Sequence, residues 1–176
     1  MQNHRTIKQL GILAAIFLSI LVFVVVVFWR NGPPRDSTLA QQFEVNRIVY
    51  EELRDMLRED VQRHNISQIA KWGLRKQGQG VSCSPEEVGL PNERYEKYLA
   101  LMEKAGIGVC IQTESDYRFT VAGSGFASSG YRIAITWNTN SPSPIIKSLD
   151  DFHKKSSQWE QAYRPLKEGW YLWIIW

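Results

Sequence analysis

The hydrophobic pattern of the chain opens with one long apolar run near its start. Residues 10–29 are twenty consecutive residues without a charged side chain. A helix rises about 1.5 Å per residue, so this run matches a hydrocarbon core of about 30 Å. It is longer than the apolar core of a cleaved signal peptide. The run therefore predicts one helix across the lipid bilayer, with residues 1–9 as a short cytoplasmic tail and residues 30–37 as a linker.

The flanks of this run indicate an orientation. Arg5 and Lys8 precede the run, and Arg30 and Arg35 follow it, so the charge bias is small. A short N-terminal tail before a large C-terminal part is typical of an uncleaved signal-anchor. We therefore expect a single-pass protein of a cell inner membrane, with residues 38–176 outside the cytoplasm.

A second pattern, of helical period, follows the break at residues 33–34. Apolar residues recur at spacings of three and four, which predicts a helix that is capped by Asp36 or Ser37 and ends near His64. The apolar face comprises Leu39, Phe43, Val49, Leu53, Met56 and Leu57. The opposite face is charged and solvated. The next segment, residues 66–74, fits either a continued helix or a short strand.

Residues 84–106 carry two helix-start signals and one stop signal. Ser84 can cap a short turn that has Pro85 at its first position and Glu87 three residues after the cap. A second helix starts at Asn92 and ends before Gly106. Its apolar face comprises Tyr95, Tyr98, Leu99 and Met102.

Much of the remaining chain alternates between apolar and polar residues, as half-buried strands do. The predicted strands are residues 108–113, 117–123 and 131–138. Ser148 or Asp150 starts a short helix, and residues 170–176 are apolar on both faces, which is typical of a central strand. Together these patterns predict an α+β domain over residues 38–176, with one or two helices packed on a three- to five-stranded, mainly antiparallel sheet.

The distribution of charge excludes one class of partner. The chain has 21 Lys and Arg against 18 Asp and Glu, a formal net charge of +3. Arg5, Lys8 and Arg30 account for this excess, and both signs are interspersed beyond them. Affinity for nucleic acid depends on clustered cations, so we expect no nucleic-acid partner.

Cys83 and Cys110 are the two cysteines of the chain. In an oxidising compartment they are natural disulfide partners, and the bond would close a loop of moderate length. The alternative is two free thiols, because Cys110 lies in an apolar strand where a thiol behaves as a small hydrophobic group. Neither cysteine has the spacing of a redox or metal motif.

The sequence offers little catalytic chemistry, since the chain contains only three histidines. A two-histidine metal site would have to join His64 to His153, and their neighbourhoods do not favour it. A hydrolase would have to combine Ser128 or Ser129 with His153. Asp150-Asp151 suits a helix cap better than a pair of catalytic carboxylates. We therefore predict no metal, no cofactor and no enzymatic activity.

Two regions carry the functional hypothesis. Trp is favoured at protein–protein surfaces, and a loop of small residues such as 123–130 is a common place for binding residues. The candidate partner-binding residues are Trp170, Trp173, Trp176, Phe126 and Ser128. Burial of the Trp residues in the core is the alternative interpretation. The predicted function is a non-enzymatic accessory or assembly protein that binds another protein of the cell envelope.

A different class of function stays open beside this one. A small-ligand sensor would need a pocket between helix and sheet, with residues 123–130 as its lid. The residues that would line such a pocket are Tyr95, Tyr98, Phe119 and Trp137. An observed pocket at these residues would favour the sensor.

Overall fold

From residue 33 onward, the described part of the chain folds into four helices and seven strands. The computed structural model describes residues 33–126, 129–152 and 160–176, together with Ser19. The helices are α1 (Asp36–His64), α2 (Pro85–Val88), α3 (Asn92–Ala105) and α4 (Leu149–Phe152). The strands are β1 (Ile66–Ala70), β2 (Gly73–Lys76), β3 (Val109–Gln112), β4 (Asp116–Phe126), β5 (Ser129–Asn138), β6 (Gln161–Lys167) and β7 (Trp170–Ile175). Pro34–Trp176 form one compact unit.

All seven strands join one antiparallel sheet in the order β2-β1-β3-β4-β5-β7-β6. One row of paired side chains crosses five of the strands and faces the helices. The row is Ile69, Cys110, Phe119, Ile135 and Leu172, and each of these residues is fully buried. Because side chains alternate along a strand, this single row fixes which face of the sheet is the core face.

The helix α1 covers this face with the apolar stripe that its sequence predicted. All six predicted stripe residues are buried. Tyr50 joins them and packs edge-on against Phe119, with ring centroids 5.7 Å apart. Phe43 contacts Trp170 at 5.4 Å between centroids. The helix α3 packs beside α1 and adds Tyr98 and Met102 to the same core.

The strand β7 is apolar on both faces because it lies inside the sheet, between β5 and β6. Trp170, Leu172 and Ile174 face the main core. On the other face, Trp173 forms a second small cluster with Ala134 and Tyr163. The guanidinium of Arg118 lies 4.3 Å from the centroid of the Trp173 ring, so a cation–π contact covers part of that cluster.

The predicted helix ends agree with the structure except at the start of α1. Ser84 and Glu87 form the complete capping box of α2, and Gly106 ends α3 in the left-handed conformation, with φ 67°. The predicted cap of α1 is wrong: Arg35 occupies the cap position without a side-chain bond. Asp36 is instead the first helical residue, and its carboxylate pairs with Arg164 of β6 at 3.1 Å.

The α+β class is confirmed, but the sheet is larger than the three to five strands predicted. Residues 66–74, which the sequence left open, belong to the hairpin of β1 and β2. The strand β6 was not predicted, because Pro165 interrupts its alternating pattern and Glu168-Gly169 is a weak hairpin signal. The strands β1, β2 and β6, which the sequence left open or did not predict, account for the larger size of the sheet.

The single-pass membrane interpretation is corrected. Among the residues that the structure describes, no helix is long and apolar enough to cross a membrane. The longest of them, α1, carries charged side chains along its solvent face. Residues 10–29, on which the interpretation rested, lie outside the described residues except for Ser19. The placement of residues 38–176 outside the cytoplasm stays a prediction.

Candidate binding cleft

The strand β4 extends well past its neighbour β3. β3 begins at Val109, opposite Thr120, and the chain before it adds one further bond, from the Gly108 amide to the Thr120 carbonyl at 2.8 Å. Beyond this point β4 continues to Phe126 and pairs only with β5. Residues 121–126 of β4 therefore have no partner strand on their other side within the described chain.

A cleft of about 820 Å³ lies elsewhere on the molecule, but a second one, of about 620 Å³, borders the start of this open edge, at residues 120–123 of β4. The second cleft is mainly apolar. Its walls come from the β1–β2 turn, the end of α3, the start of β3 and residues 120–123 of β4. Its lining includes Trp72, Met102, Ile107, Gly108, Val121 and Gly123. Lys71 and Glu103 border it with opposite charges.

Trp72 forms the rim of this cleft and is 64% exposed. The turn that carries it is held in place from two sides. The Tyr95 hydroxyl of α3 donates to the Ala70 carbonyl at 2.7 Å, and the Ser82 hydroxyl donates to the Trp72 carbonyl at 3.4 Å. An exposed Trp on a fixed backbone is unusual on a protein surface, and such residues are enriched at binding sites.

Two glycines, Gly106 and Gly108, line the cleft where α3 leads into β3. Gly106 turns the chain from α3 toward β3, and the Ile107 amide donates to the Met102 carbonyl at 2.8 Å, which closes the helix end. Ile107 is buried at 2% exposure, so the apolar side chain after the turn anchors this end. A Cβ at Gly108 would meet only the Thr120 carbonyl, at 3.8 Å, so the backbone of another segment has room to approach there.

The two outer edges of the sheet, at β2 and β6, differ from the β4 edge because short segments of the chain pair with them. At β2, Leu74 exchanges two backbone bonds with Cys83, at 2.8 and 3.0 Å. At β6, the Tyr163 amide donates to Pro144 and its carbonyl accepts from Ile146. Short segments thus cover both outer edges, which is a common protection against unwanted strand pairing. The β4 edge has no such cover among the described residues.

The larger groove, between α1 and α3, is a structural network of ion pairs. Arg94 contacts both Glu59 and buried Asp60, at 2.8 and 2.9 Å, and Lys97 contacts Glu52 at 2.6 Å. The Tyr98 hydroxyl also donates to Asp60 at 2.8 Å. Because the charges that line this groove pair with one another, they hold α3 on α1 and leave little for a ligand.

The predicted partner-binding residues lie in several places. Trp170 and Trp173 are buried, at 2% and 3% exposure, in the two clusters on opposite faces of the sheet. Trp176 is half-buried and stacks on Tyr131, with ring planes 11° apart. The backbone of Phe126 pairs with Ser129 at the end of the β4–β5 hairpin. Ser128 lies outside the described residues. A partner-binding role for these five residues stays a prediction.

Both cysteines are free thiols in this structure. Cys110 is fully buried in the row that faces the helices, and burial raises the pKa of its thiol. Cys83 is partly exposed in the segment that covers β2. A raised pKa keeps the Cys110 sulfur protonated, and a protonated thiol is a poor nucleophile.

Several residues of the other chemical hypotheses are core residues or lie outside the described chain. Tyr98 and Phe119, proposed for a ligand pocket, are fully buried core residues. Ser128, the Ser129 side chain and His153 lie outside the described residues, so a hydrolase site there is not tested. Within the described ranges, no group of three or more His, Cys, Asp or Glu side chains could hold a metal ion.

The cleft residues were missed by reasoning from the sequence. Trp72 stood in the segment whose secondary structure was left open, and residues 123–130 were interpreted as a loop, whereas 123–126 belong to β4. The available signal was Trp72 immediately before Gly73, since a large aromatic residue at a hairpin turn is exposed by default.

Comparison with known proteins adds no further assignment. No protein family, no curated protein and no solved structure matches this chain. The case for function therefore depends on the geometry of the cleft.

Proposed function

We propose that this chain is a non-enzymatic protein-binding domain that accepts an extended segment of a protein chain at the open edge of β4. The observation that carries the proposal is the uncovered edge of residues 121–126 beside a cleft with Trp72 on its rim. Strand addition to an exposed sheet edge is a recurring mode of peptide recognition.

The parts of the site correspond to the needs of this mode. The unpaired backbone groups of β4 offer the hydrogen bonds of a ladder, which recognise any extended chain. The apolar cleft offers a place for one or two side chains of the added strand, which supplies selectivity. Trp72 would cover those side chains and exclude water, as aromatic residues do at the centre of interfaces.

A photo-crosslinking experiment tests the proposal in the cells that make the protein. A photoreactive benzoyl-phenylalanine replaces Ser124, which is exposed on the β4 edge. The expected result is a discrete protein adduct whose yield falls at least about tenfold when Trp72→Ala is added, because an interface Trp carries much of the binding energy. Adduct yields are measured by immunoblot and mass spectrometry.

The control replaces Asn140, which is exposed beyond the other end of β5. Discrete adducts at Ser124 that are absent at Asn140 and depend on Trp72 support the proposal. Equal adducts at both positions, or adducts at Ser124 that ignore Trp72→Ala, contradict it. The thermal unfolding of the Trp72→Ala variant is compared with that of the parent chain, so that misfolding is recognised.

A further inference from the structure

The chemistry of the open edge bears on what occupies it. Residues 121–126 read Val-Ala-Gly-Ser-Gly-Phe and contain no charged residue and no proline. Charges, prolines, β-bulges and covering segments are the usual protection of an edge strand, and β4 has one bulge, between Thr120 and Ala122. The two outer edges of this sheet have covering segments, at Cys83 and at 144–146. From Ala122 to Phe126 the edge has none of these devices within the described chain, so it is open to another strand of the same kind.

We infer that the occupant of this edge is a second copy of the chain, whose β4 strand pairs antiparallel with the first across a two-fold axis. This inference rests on the proposed function, since it names the partner of the same site. Each copy offers the same unpaired stretch, so two copies satisfy each other's backbone groups. A two-fold contact of this kind closes on itself and requires a self-complementary surface.

The surface around the edge is compatible with a second copy in the size of its side chains and in its charge. Ala122, Gly123 and Ser124 are small, so two backbones can approach to the spacing of neighbouring strands. Lys71 and Glu103 border the cleft with opposite signs and form no ion pair with another described residue. In a two-fold pair each copy brings one charge of each sign, so the borders of the two clefts together carry no net charge from these residues.

The position of Ser124 provides a test that is specific to this arrangement. It is exposed, and it lies near the middle of residues 121–126. In an antiparallel pairing of this segment with itself, the two Ser124 side chains therefore lie close to the two-fold axis. Like charges at such positions repel and opposite charges attract.

The experiment measures the mass of the purified full chain by sedimentation equilibrium over a wide range of concentration. The expected result is a dimer. Ser124→Lys should raise the dimer dissociation constant at least about tenfold, and so should Ser124→Glu. An equimolar mixture of the two variants should recover association as a mixed dimer. Ser141→Lys, at an exposed position away from the edge, is the matched control.

Each other outcome overturns the inference. A chain that stays monomeric at all concentrations contradicts the inference. If Trp72-dependent adducts of a different protein still form in cells, the proposed function stands without a second copy as the partner. A dimer that persists in Ser124→Lys is formed by another surface, and an open-ended oligomer excludes a closed two-fold contact. The absence of both a dimer and crosslinked adducts contradicts the inference and the proposed function together. Circular dichroism of each variant shows that the fold is retained.

Discussion

Two buried tyrosines show how the same residue type has opposite effects in different surroundings. Tyr98 donates its hydroxyl to Asp60, which Arg94 also contacts, so the hydroxyl is satisfied in a charged network. Tyr50 is equally buried, and its hydroxyl lies near Gln42 but has no hydrogen bond of normal geometry. Burying a polar group without a bond costs free energy, whereas a bond to a charged group recovers it.

The two tyrosines therefore predict a matched pair of substitutions. Tyr50→Phe should leave the free energy of unfolding unchanged or raise it by up to about 1 kcal/mol, because it removes an unsatisfied hydroxyl. Tyr98→Phe should lower it by about 1–3 kcal/mol, because Asp60 loses a donor while it stays buried. Urea unfolding at neutral pH measures both. A loss at Tyr50 as large as that at Tyr98 would show that Tyr50 has a partner.

At the scale of elements, the β6–β7 hairpin depends on two residues of the turn. Glu168 and Gly169 both have positive φ, 40° and 83°, in a two-residue connection. This is the pattern of a type I′ turn, whose twist matches that of the strands and which favours Asn followed by Gly. Glu is poorly suited to its position, and its ion pair with Arg47, at 3.4 Å and largely exposed, compensates little.

Substitutions in this turn should act in opposite directions. Glu168→Asn should raise the free energy of unfolding by about 0.5–1 kcal/mol, since Asn tolerates positive φ. Gly169→Ala should lower it by at least about 1 kcal/mol. A Cβ at Gly169 would lie 3.2 Å from both the Asn138 carbonyl and the Trp137 ring nitrogen, in addition to its strained φ. Thermal or urea unfolding of the two variants checks the signs, and a stabilising Gly169→Ala would refute the turn assignment.

At the scale of the whole molecule, buried groups in the core stay protonated in the folded protein but would ionise in the unfolded chain at high pH. Burial raises the pKa of Tyr50, Tyr98 and Cys110, and the nearby carboxylate of Asp60 adds to the effect at Tyr98. Above the ordinary pKa of these groups the unfolded chain releases protons that the folded chain retains. The stability that the neutral groups provide is therefore complete at neutral pH and is lost as the pH rises.

The free energy of unfolding should consequently fall as the pH is raised above about 9 to 10, where free thiols and phenols titrate. Tyr50→Phe should make this fall less steep, because one of the buried phenols is removed. Urea unfolding at a series of pH values, with and without the substitution, measures the slope. A slope that is the same in both chains would contradict the placement of Tyr50 in the core.

At the scale of the whole molecule, some elements could be predicted from the sequence and others could not. The helical period identified α1 with its buried face and α3 with most of its own, although Leu101 packs on the core where Leu99 was predicted. Ser84 and Gly106 marked helix ends correctly. Alternation identified β3, β4 and β5. It could not detect β6, whose Pro165 breaks the pattern, or decide the state of residues 66–74, which are too short to distinguish a strand from a helix.

What the sequence determined by itself was therefore the type of most elements and the face that each one buries, because both follow from local periodicity. Only the tertiary structure decided which strands are neighbours. Ile69 pairs with Cys110, and β7 inserts between β5 and β6, through contacts between residues far apart in the chain. The open edge of β4 exists because β3 ends opposite Thr120 while β4 continues. No pattern within β4 records where its neighbour stops, so the binding cleft is a property of the assembled sheet.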